Sequence, residues 1–375
     1  LTARRDTYFF LSYKSSNSFQ QCADGFIAGK LLFVVSGDVV DRVWGVMFFR
    51  RQNNELEVLA PAKLNLFLEI TDKRPDGFHE LDMLMVPIAL YDTLTFKLRR
   101  DDEITLSSCC AVGNKIALPA APDNLVTRAI KLLRQRMETL SCATMSGIDI
   151  CLFKRIPAAA GLGGGSSDAA AALVAANHLW QAGLSTAELS EIALQIGSDV
   201  PFFVSGFAAR CRGRGELLTP LNIPASLDVV LIKPRVGLAT SEVFAEYALH
   251  QGASVDERVA VDNILAACAS GRAPEIGKCL YNRLVDSALR LQPELQQLQA
   301  ELLALGLPGV QMTGSGSTFY LICRHARQAR NIAEKLSHRG HAAVFHTRTL
   351  SHRSLNIGSE QDSSPLEQPC VGLSP

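Results

Sequence analysis

Four glycines, Gly161, Gly163, Gly164 and Gly165, are followed at once by Ser166, Ser167 and Asp168 and then by an alanine-rich run. Glycine lets backbone N–H groups turn inward and approach a ligand closely. Serine and aspartate suit the first turn of a helix, where unpaired N–H groups and the helix dipole attract anions. The stretch Pro157–Leu173 therefore has the composition of a phosphate cradle, a glycine loop feeding a helix. It lacks the lysine that follows the glycines of a P-loop. It also lacks the acidic residue at the spacing of a dinucleotide-binding strand–helix–strand unit. The alternative is a glycine-rich turn that only packs helix against strand. A second glycine turn, Thr313-Gly314-Ser315-Gly316-Ser317, lies between two strand-like segments.

The elements around these loops follow from periodicity. Ile148, Ile150 and Leu152 alternate with Asp149, Cys151 and Phe153, which predicts a strand entering the first loop. A helix is expected from Ser167 to about Gln181. Another is expected from Ser185 to Ile196, with Ser185 and Glu188 at capping-box spacing. Further upstream, Leu64, Leu66, Leu68 and Ile70 alternate with Lys63, Asn65, Phe67 and Glu69, a strand with one apolar face. Arg74-Pro75-Asp76-Gly77 reads as a turn. Met83–Leu98 and Ile104–Leu106 suggest more strand, and Asp123 and Asn124 are placed to cap a helix running to about Glu138. Val200–Cys211 reads as a strand broken by Gly206, and Leu227–Ile232 as a buried strand. Thr240–Leu249, Asp262–Ala269, Pro293–Leu305 and Ala326–Ser337 look helical. Val310–Met312, Phe319–Cys323 and Ala342–His346 look like strands.

The chain has 375 residues, 47% of them hydrophobic and 20% charged, enough for a sizeable core in one large or two ordinary domains. Lys plus Arg and Asp plus Glu are 37 each, so the overall charge leaves no footprint for nucleic acid or an acidic membrane surface. Ten cysteines are scattered without a C-x-x-C pair or a zinc-like Cys/His spacing. Cys151 and Cys323 lie in apolar runs, as buried thiols do. A reducing, cytoplasmic setting is the expectation. No apolar run reaches the length of a membrane span. Two halves emerge, a strand-rich one over 57–220 that carries the glycine loop and a mixed one over 221–350. Residues 351–375 are Ser-, Pro- and Gln-rich and are expected to form a disordered tail. Residues 1–56 have weak periodicity and take no assignment. They fit an organelle-type leader, an extra strand pair, or a stretch upstream of the true reading start.

Three stretches, Pro61-Ala62-Lys63-Leu64-Asn65, the loop at 157–170 and Thr313–Ser317, resemble in order and spacing the three motifs of the galactokinase, homoserine, mevalonate and phosphomevalonate kinase superfamily. The segments APAKLNLFLEITDKRPDGFHEL, RIPAAAGLGGGSSDAAAAL, IGSDVPFF and MTGSGSTF resemble more closely its 4-diphosphocytidyl-2-C-methyl-D-erythritol kinase family. The resemblance spans about 58–348. It implies an α+β fold of two domains, a ribosomal S5 domain 2-like N-terminal domain and a ferredoxin-like C-terminal domain, with the active site in the cleft between them.

The resemblance also implies the site. ATP would be cradled by Pro157, Ala158, Ala159, Ala160, Gly161, Leu162, Gly163, Gly164, Gly165, Ser166 and Ser167, with Mg2+ held mainly through phosphate oxygens and water. Asn124 matches a nucleotide-pocket residue, and helix capping explains it equally. Asp199 takes the place of the general base, where the residue type alone would suit a turn or cap. Lys63 is the cation that favours the charged form of Asp199 and offsets charge on the reacting oxygens. Asn65, two residues on and hence on the same strand face, falls beside the polyol of the small-molecule substrate, diphosphocytidyl methylerythritol. His79 falls at the cytosine-recognising position. Phe78 stands where the family often has Tyr, so a ring face is kept and a hydroxyl lost. Thr240 and Phe244 match the cytosine side as well, although helix core accounts for Phe244 alone. Gly314, Ser315 and Gly316 would close over the phosphates, or over the diphosphate of the substrate, from the other domain. Two rivals remain: another alcohol kinase of the superfamily, which would lack the PDGFHEL loop, and a non-catalytic nucleotide-binding relative, against which Lys63 and Asp199 argue.

Overall fold

Two long antiparallel strands, Glu55–Lys73 and His79–Leu98, run side by side through the middle of the protein. The computed structural model describes residues 42–52, 54–110, 124–141, 145–250, 257–307, 309–340 and 343–350. In chain order the first part holds β1 (Arg42–Trp44), β2 (Met47–Gln52), β3 (Glu55–Lys73), β4 (His79–Leu98), β5 (Ile104–Cys110), α1 (Leu125–Ser141), β6 (Ile148–Lys154), α2 (Gly164–Leu179), α3 (Thr186–Ile196), α4 (Val200–Ser205), β7 (Ala209–Gly213) and β8 (Leu217–Pro220). The second holds β9 (Asp228–Lys233), α5 (Thr240–Leu249), α6 (Glu257–Ser270), α7 (Ala273–Lys278), β10 (Tyr281–Asn282), α8 (Val285–Leu291), α9 (Glu294–Leu303), β11 (Gly309–Met312), β12 (Phe319–Cys323), α10 (Ala326–Ser337) and β13 (Ala343–Arg348).

One sheet follows the order β1-β2-β3-β4-β6-β5, with β7 joining β4, β8 joining β7, and β10 pairing parallel with β3. The other is antiparallel with the order β11-β12-β9-β13. With helices between β9 and β11 and between β12 and β13, that order is the split βαβ arrangement of a ferredoxin-like sandwich, as the resemblance implies. The two sheets are interlocked. β10 enters the first sheet from the second half, where Arg283 donates from its backbone to Leu68 O at 2.9 Å and from Nε to Glu69 Oε1 at 2.6 Å.

The register of β3 against β4 slips between Pro61 and Ala62 and again between Asn65 and Phe67. The first slip leaves Ala89 and Leu90 of β4 unmatched and the second leaves Leu66 of β3 unmatched, and across such irregularities the side chains of a strand change the side they face. Leu56, Val58 and Ala60, and later Leu68 and Ile70, belong to the core that holds α1–α4. Between the bulges the even residues Leu64 and Leu66 turn to a second core shared with β9 and β12. The single polar face expected from the alternation is thus divided. Lys63 and Asn65 point toward the helices, and Phe67 and Glu69 toward the second half. Both sides of β3 are buried here, where the alternation predicted one.

Helix α2 is buried from Ser167 through Asn177. Its alanines present no bulk, so it packs closely on β3, β4, α1, α3 and α4. It begins at Gly164, earlier than expected, so the glycines form its first turn. Val200–Cys211 is not one broken strand. Val200–Ser205 is α4 and Ala209–Gly213 is β7. The run Val-Pro-Phe-Phe-Val has strand-like propensity, but Pro201 suits a first helical turn and Gly206, at φ 72, ends the helix in the left-handed region. Burial of the whole run outweighs its propensity. α7, β8, α8 and β10 were not anticipated. The capping box of Ser185 and Glu188 is present.

Residues 42–52 form a strand pair on the sheet edge, one of the three readings open for this end; residues 1–41, and the tail at 351–375, lie outside the described residues. The pair is seated on α4. Trp44 Nε1 donates to Val204 O at 3.1 Å, and Gly45 and Gly206 meet backbone to backbone. A Cβ on Gly206 would stand 2.5 Å from Gly45 Cα. Gly206→Ala therefore adds left-handed strain to a clash, and is expected to cost about 2–4 kcal/mol. Urea denaturation measures it, and an unchanged midpoint would show that this contact is dispensable.

Candidate active site

Lys63 and Asn65, turned inward by the bulges, are both buried. The Lys63 ammonium donates to Asn65 Oδ1. The backbone is tied as well: Lys63 N donates to Leu162 O at 3.0 Å, and Tyr320 Oη donates to Asn65 O at 2.8 Å. Burial pulls the Lys63 pKa below its ordinary value, against the opposing attraction of Asp199 and, less, of Cys211. Asp199 stands at the N-terminal boundary of α4, half-buried, and its side chain makes no capping bond. The turn-or-cap alternative thus accounts for its backbone position and leaves its carboxylate uncommitted.

The first glycine loop lies over Lys63. Ala159, Gly161 and Gly163 have φ of 48, 73 and 70°, each separated by a residue of ordinary negative φ. Such alternation folds successive N–H groups into an anion-binding concavity. α2 then begins without a side-chain cap, leaving its first N–H groups for a ligand. Pro157, Ala160, Leu162 and Ser167 are buried, while Ala158, Ala159 and Gly165 are exposed.

The second glycine loop closes on the first. A Cβ on Gly161 would stand 2.0 Å from Thr313 O, so only glycine allows this approach. Thr313 Oγ1 donates to Gly161 O at 3.3 Å and accepts from Asn65 N at 3.1 Å. Asn282 Nδ2 donates to Met312 O and Gly314 O, each at 2.8 Å. A Cβ on Gly314 would lie 3.1 Å from Lys63 Nζ. Lys63, the 157–167 loop and the 313–317 turn therefore form one knot.

Beyond it lie aromatic residues. His79 stacks on Phe244 with ring centroids 5.2 Å apart, and Tyr247 meets His79 edge-on at 5.9 Å. His79 Nε2 is buried without a partner. Burial, and then Lys73, hold the His79 pKa below 6.5, so the neutral ring is favoured. Phe78 is 49% exposed, and its ring is covered by the Arg214 guanidinium. The ring that meets Phe244 is thus His79. Thr240, at the start of α5, exchanges a hydrogen bond with Ser315 at 2.9 Å, and Gly316 is buried beside it. Asn124 serves as the cap of α1, beside the residue that meets the loop. Its Oδ1 accepts from Val126 N at 3.0 Å, and Leu125 Cδ1 would lie 3.7 Å from a Cβ on Gly165.

A buried ionic group beneath the loop was missed at the level of sequence. Lys154 donates to Asp92 and, at 2.7 Å, to Asp168 Oδ2. Asp92 Oδ1 also accepts from Ile156 N at 2.9 Å, pinning the chain as it enters the loop. A Cβ on Gly164 would lie 3.2 Å from Lys154 Nζ, so the ammonium sits under the first turn of α2. Burial raises the Asp168 pKa well above the carboxylate range, with Asp92 adding and Lys154 opposing. The Lys154 pKa is lowered by burial but raised more by the two carboxylates. The signal was present: Lys154 continues the apolar face Ile148–Ile150–Leu152.

Residues 124–207 match the GHMP kinases N terminal domain and residues 264–342 the GHMP kinases C terminal domain. A 4-diphosphocytidyl-2-C-methyl-D-erythritol kinase of Pelotomaculum thermopropionicum is 39% identical over 303 residues, 80% of this chain and 99% of that protein. One of Alkaliphilus oremlandii is 35% identical over 307 residues, 82% of this chain and 99% of that protein. A solved 4-(cytidine 5'-diphospho)-2C-methyl-D-erythritol kinase superposes with a TM-score of 0.64 at 35% identity, covering 78% of this chain and 98% of its own. A homoserine kinase from Cytophaga hutchinsonii, 21% identical over 81% of this chain and 96% of its own, shares the fold with a TM-score of 0.63.

Replacing Lys154 by Met would leave the Asp92 carboxylate buried without its counter-charge. The expected cost is about 3–5 kcal/mol of stability, read from the urea midpoint at neutral pH. A change below about 1 kcal/mol would mean that the group relaxes into water when opened.

Proposed function

The chain belongs to the 4-diphosphocytidyl-2-C-methyl-D-erythritol kinases of the GHMP superfamily, ATP-dependent small-molecule kinases, and from that premise we propose that it phosphorylates the 2-hydroxyl of 4-diphosphocytidyl-2-C-methyl-D-erythritol with Asp199 as general base and Lys63 as its electrostatic partner. The carrying observation is the placement of Lys63 on the bulged segment, between both glycine loops and within the electrostatic reach of Asp199. Supporting it are the identity to curated relatives of this activity over most of the chain. The step belongs to isoprenoid precursor synthesis.

The triphosphate lies along the concavity of residues 159–166, whose N–H groups bind its oxygens. The acceptor hydroxyl oxygen attacks the γ-phosphorus, its proton passes to Asp199, and the bond from phosphorus to the bridging β-oxygen breaks to release ADP. Lys63 offsets the negative charge that Asp199, the hydroxyl oxygen and the γ-phosphoryl group bring together. Asn65 fixes the ammonium. The Thr313–Ser317 turn covers the phosphates and excludes water.

Among the described residues no group of three or more His, Cys, Asp or Glu is placed to hold a metal ion. The Ser167 hydroxyl, buried without a partner at the start of α2, suits a magnesium ion carried chiefly by phosphate oxygens and water, and such an ion would neutralise the triphosphate. His79 is suited to the cytosine. Its neutral ring, stacked on Phe244, keeps one nitrogen unpartnered for the base edge. No helix among the described residues is long and apolar enough to cross a membrane.

Acceptor-dependent ADP release by the purified protein with ATP and Mg2+ tests the reaction; release with homoserine or mevalonate instead would replace it. Asp199→Asn is expected to lower turnover by roughly 10²–10⁴-fold while ATP affinity, read by calorimetry, stays near that of the parent. Undiminished turnover would remove Asp199 as base, and joint loss of ATP binding would make its role structural. A second expectation concerns pH. Because the His79 pKa is depressed from 6.5, the neutral ring persists as pH falls through that value. Acceptor affinity should hold down to 6.5 and weaken only below it, and His79→Gln should abolish that acid limb. A limb that begins above 6.5, or survives in the variant, would assign the titration elsewhere.

A further inference from the structure

Arg214 lies in the turn between β7 and β8, with its guanidinium carbon 3.6 Å from the centre of the Phe78 ring. A guanidinium laid flat on a ring is held by the ring's electron-rich face and keeps its rim of N–H groups for in-plane bonds. Arg74, Arg210 and Arg283 each meet a carboxylate: Asp76 and Glu80, Asp82, and Glu69 respectively. No ion pair joins Arg214 to a described residue, and its Nε is buried without a partner. Glu216, two residues on, accepts from the Arg214 backbone N at 2.5 Å. The Asp76 carboxylate is near enough to feel the Arg214 charge, yet among the described residues no acceptor takes a hydrogen bond from this half-buried fork.

The turn is also well placed. A Cβ on Gly215 would lie 3.4 Å from Ser198 O, next to Asp199, and 3.2 Å from Met83 Cε. Met83 in turn accepts from Asn65 Nδ2 at 3.5 Å. On its other side the turn reaches Phe78, which precedes His79. It therefore bridges the aromatic end of the acceptor site and the Lys63–Asn65–Asp199 end. In a nucleoside diphosphate joined to a polyol, the two phosphates lie between base and polyol. With the base at His79 and Phe244 and the polyol at Asn65 and Asp199, the phosphates cross the span that Arg214 covers.

We propose that Arg214 binds the diphosphate of the acceptor and makes the enzyme select a nucleoside diphosphate over the bare nucleoside. Its fork matches two phosphate oxygens at once, and the Phe78 ring holds the guanidinium plane in place beforehand. This inference rests on the acceptor assigned above.

The test measures CDP and cytidine binding by calorimetry, with a non-hydrolysable ATP analogue saturating the donor site, in the parent, Arg214→Gln and Arg214→Lys. The parent should prefer CDP. Arg214→Gln should reduce that preference roughly ten- to hundredfold with cytidine affinity kept within about twofold, and Arg214→Lys, a point charge without the fork, should restore part of it. Parallel loss of CDP and cytidine affinity would mean that Arg214 only braces Phe78, and the proposal falls. Loss of affinity for the ATP analogue instead would move the cation to the donor side and overturn it as well. If the parent itself binds neither CDP nor cytidine while binding the ATP analogue, the acceptor reading fails first and takes the inference with it.

Discussion

The approach of two glycine loops to one another governs the rest of the structure. Gly161 and Thr313 are far apart in the chain, yet the backbone of one occupies the space where a side chain on the other would be. Everything that must act together is fastened to this contact. Thr313 links the loops to Asn65, Asn282 holds the second loop in shape, and Tyr320 anchors the strand that carries Lys63. Backbone contact of this kind leaves no flexible side chain between the parts. The lysine is consequently held by packing as well as by its own hydrogen bond.

Charge follows from that burial. A lysine taken out of water loses part of its preference for the charged form, and Asp199 restores part of it. The pair is coupled without being joined by a direct ion pair. Below the first loop the opposite design holds. Lys154, Asp92 and Asp168 are directly bonded, closed off from water, and committed to one another. Two buried lysines close to one loop thus do different work. One is bonded to Asn65 and lies within the field of Asp199, and the other is locked to two carboxylates under the first turn of α2.

Local physics made much of this legible in the residues. Glycine after glycine, then serine and aspartate, announced a loop feeding a helix, and the helix begins at Gly164. The capping box at Ser185 could be read from spacing alone. Period-two counting put Lys63 and Asn65 on one face, and they are hydrogen-bonded to each other. Counting failed where a neighbour changed the count. It carried Phe67 and Glu69 along on the same face, because a bulge adds a residue that leaves no mark in hydrophobic alternation. Val200–Ser205 was misread because β-branched and aromatic residues also line a short buried helix. Lys154 stood on the apolar face of its strand and was passed over, since the two acids that justify its burial come from β4 and α2.

The sequence by itself determined the local vocabulary: which segments turn, which begin helices, which residues carry charge, and, by resemblance, which family the motifs belong to. Tertiary structure alone decided that the polar side of β3 splits at Asn65, that two distant glycine turns interlock around Lys63, that Asp199 opens a helix, and that Arg214 lies over Phe78. The reason is physical. Turn and cap preferences arise from interactions within a few residues. Faces, burial and electrostatic partners are settled by contacts such as Asn65 with Thr313, 248 residues apart, and no pattern confined to one stretch of chain contains them.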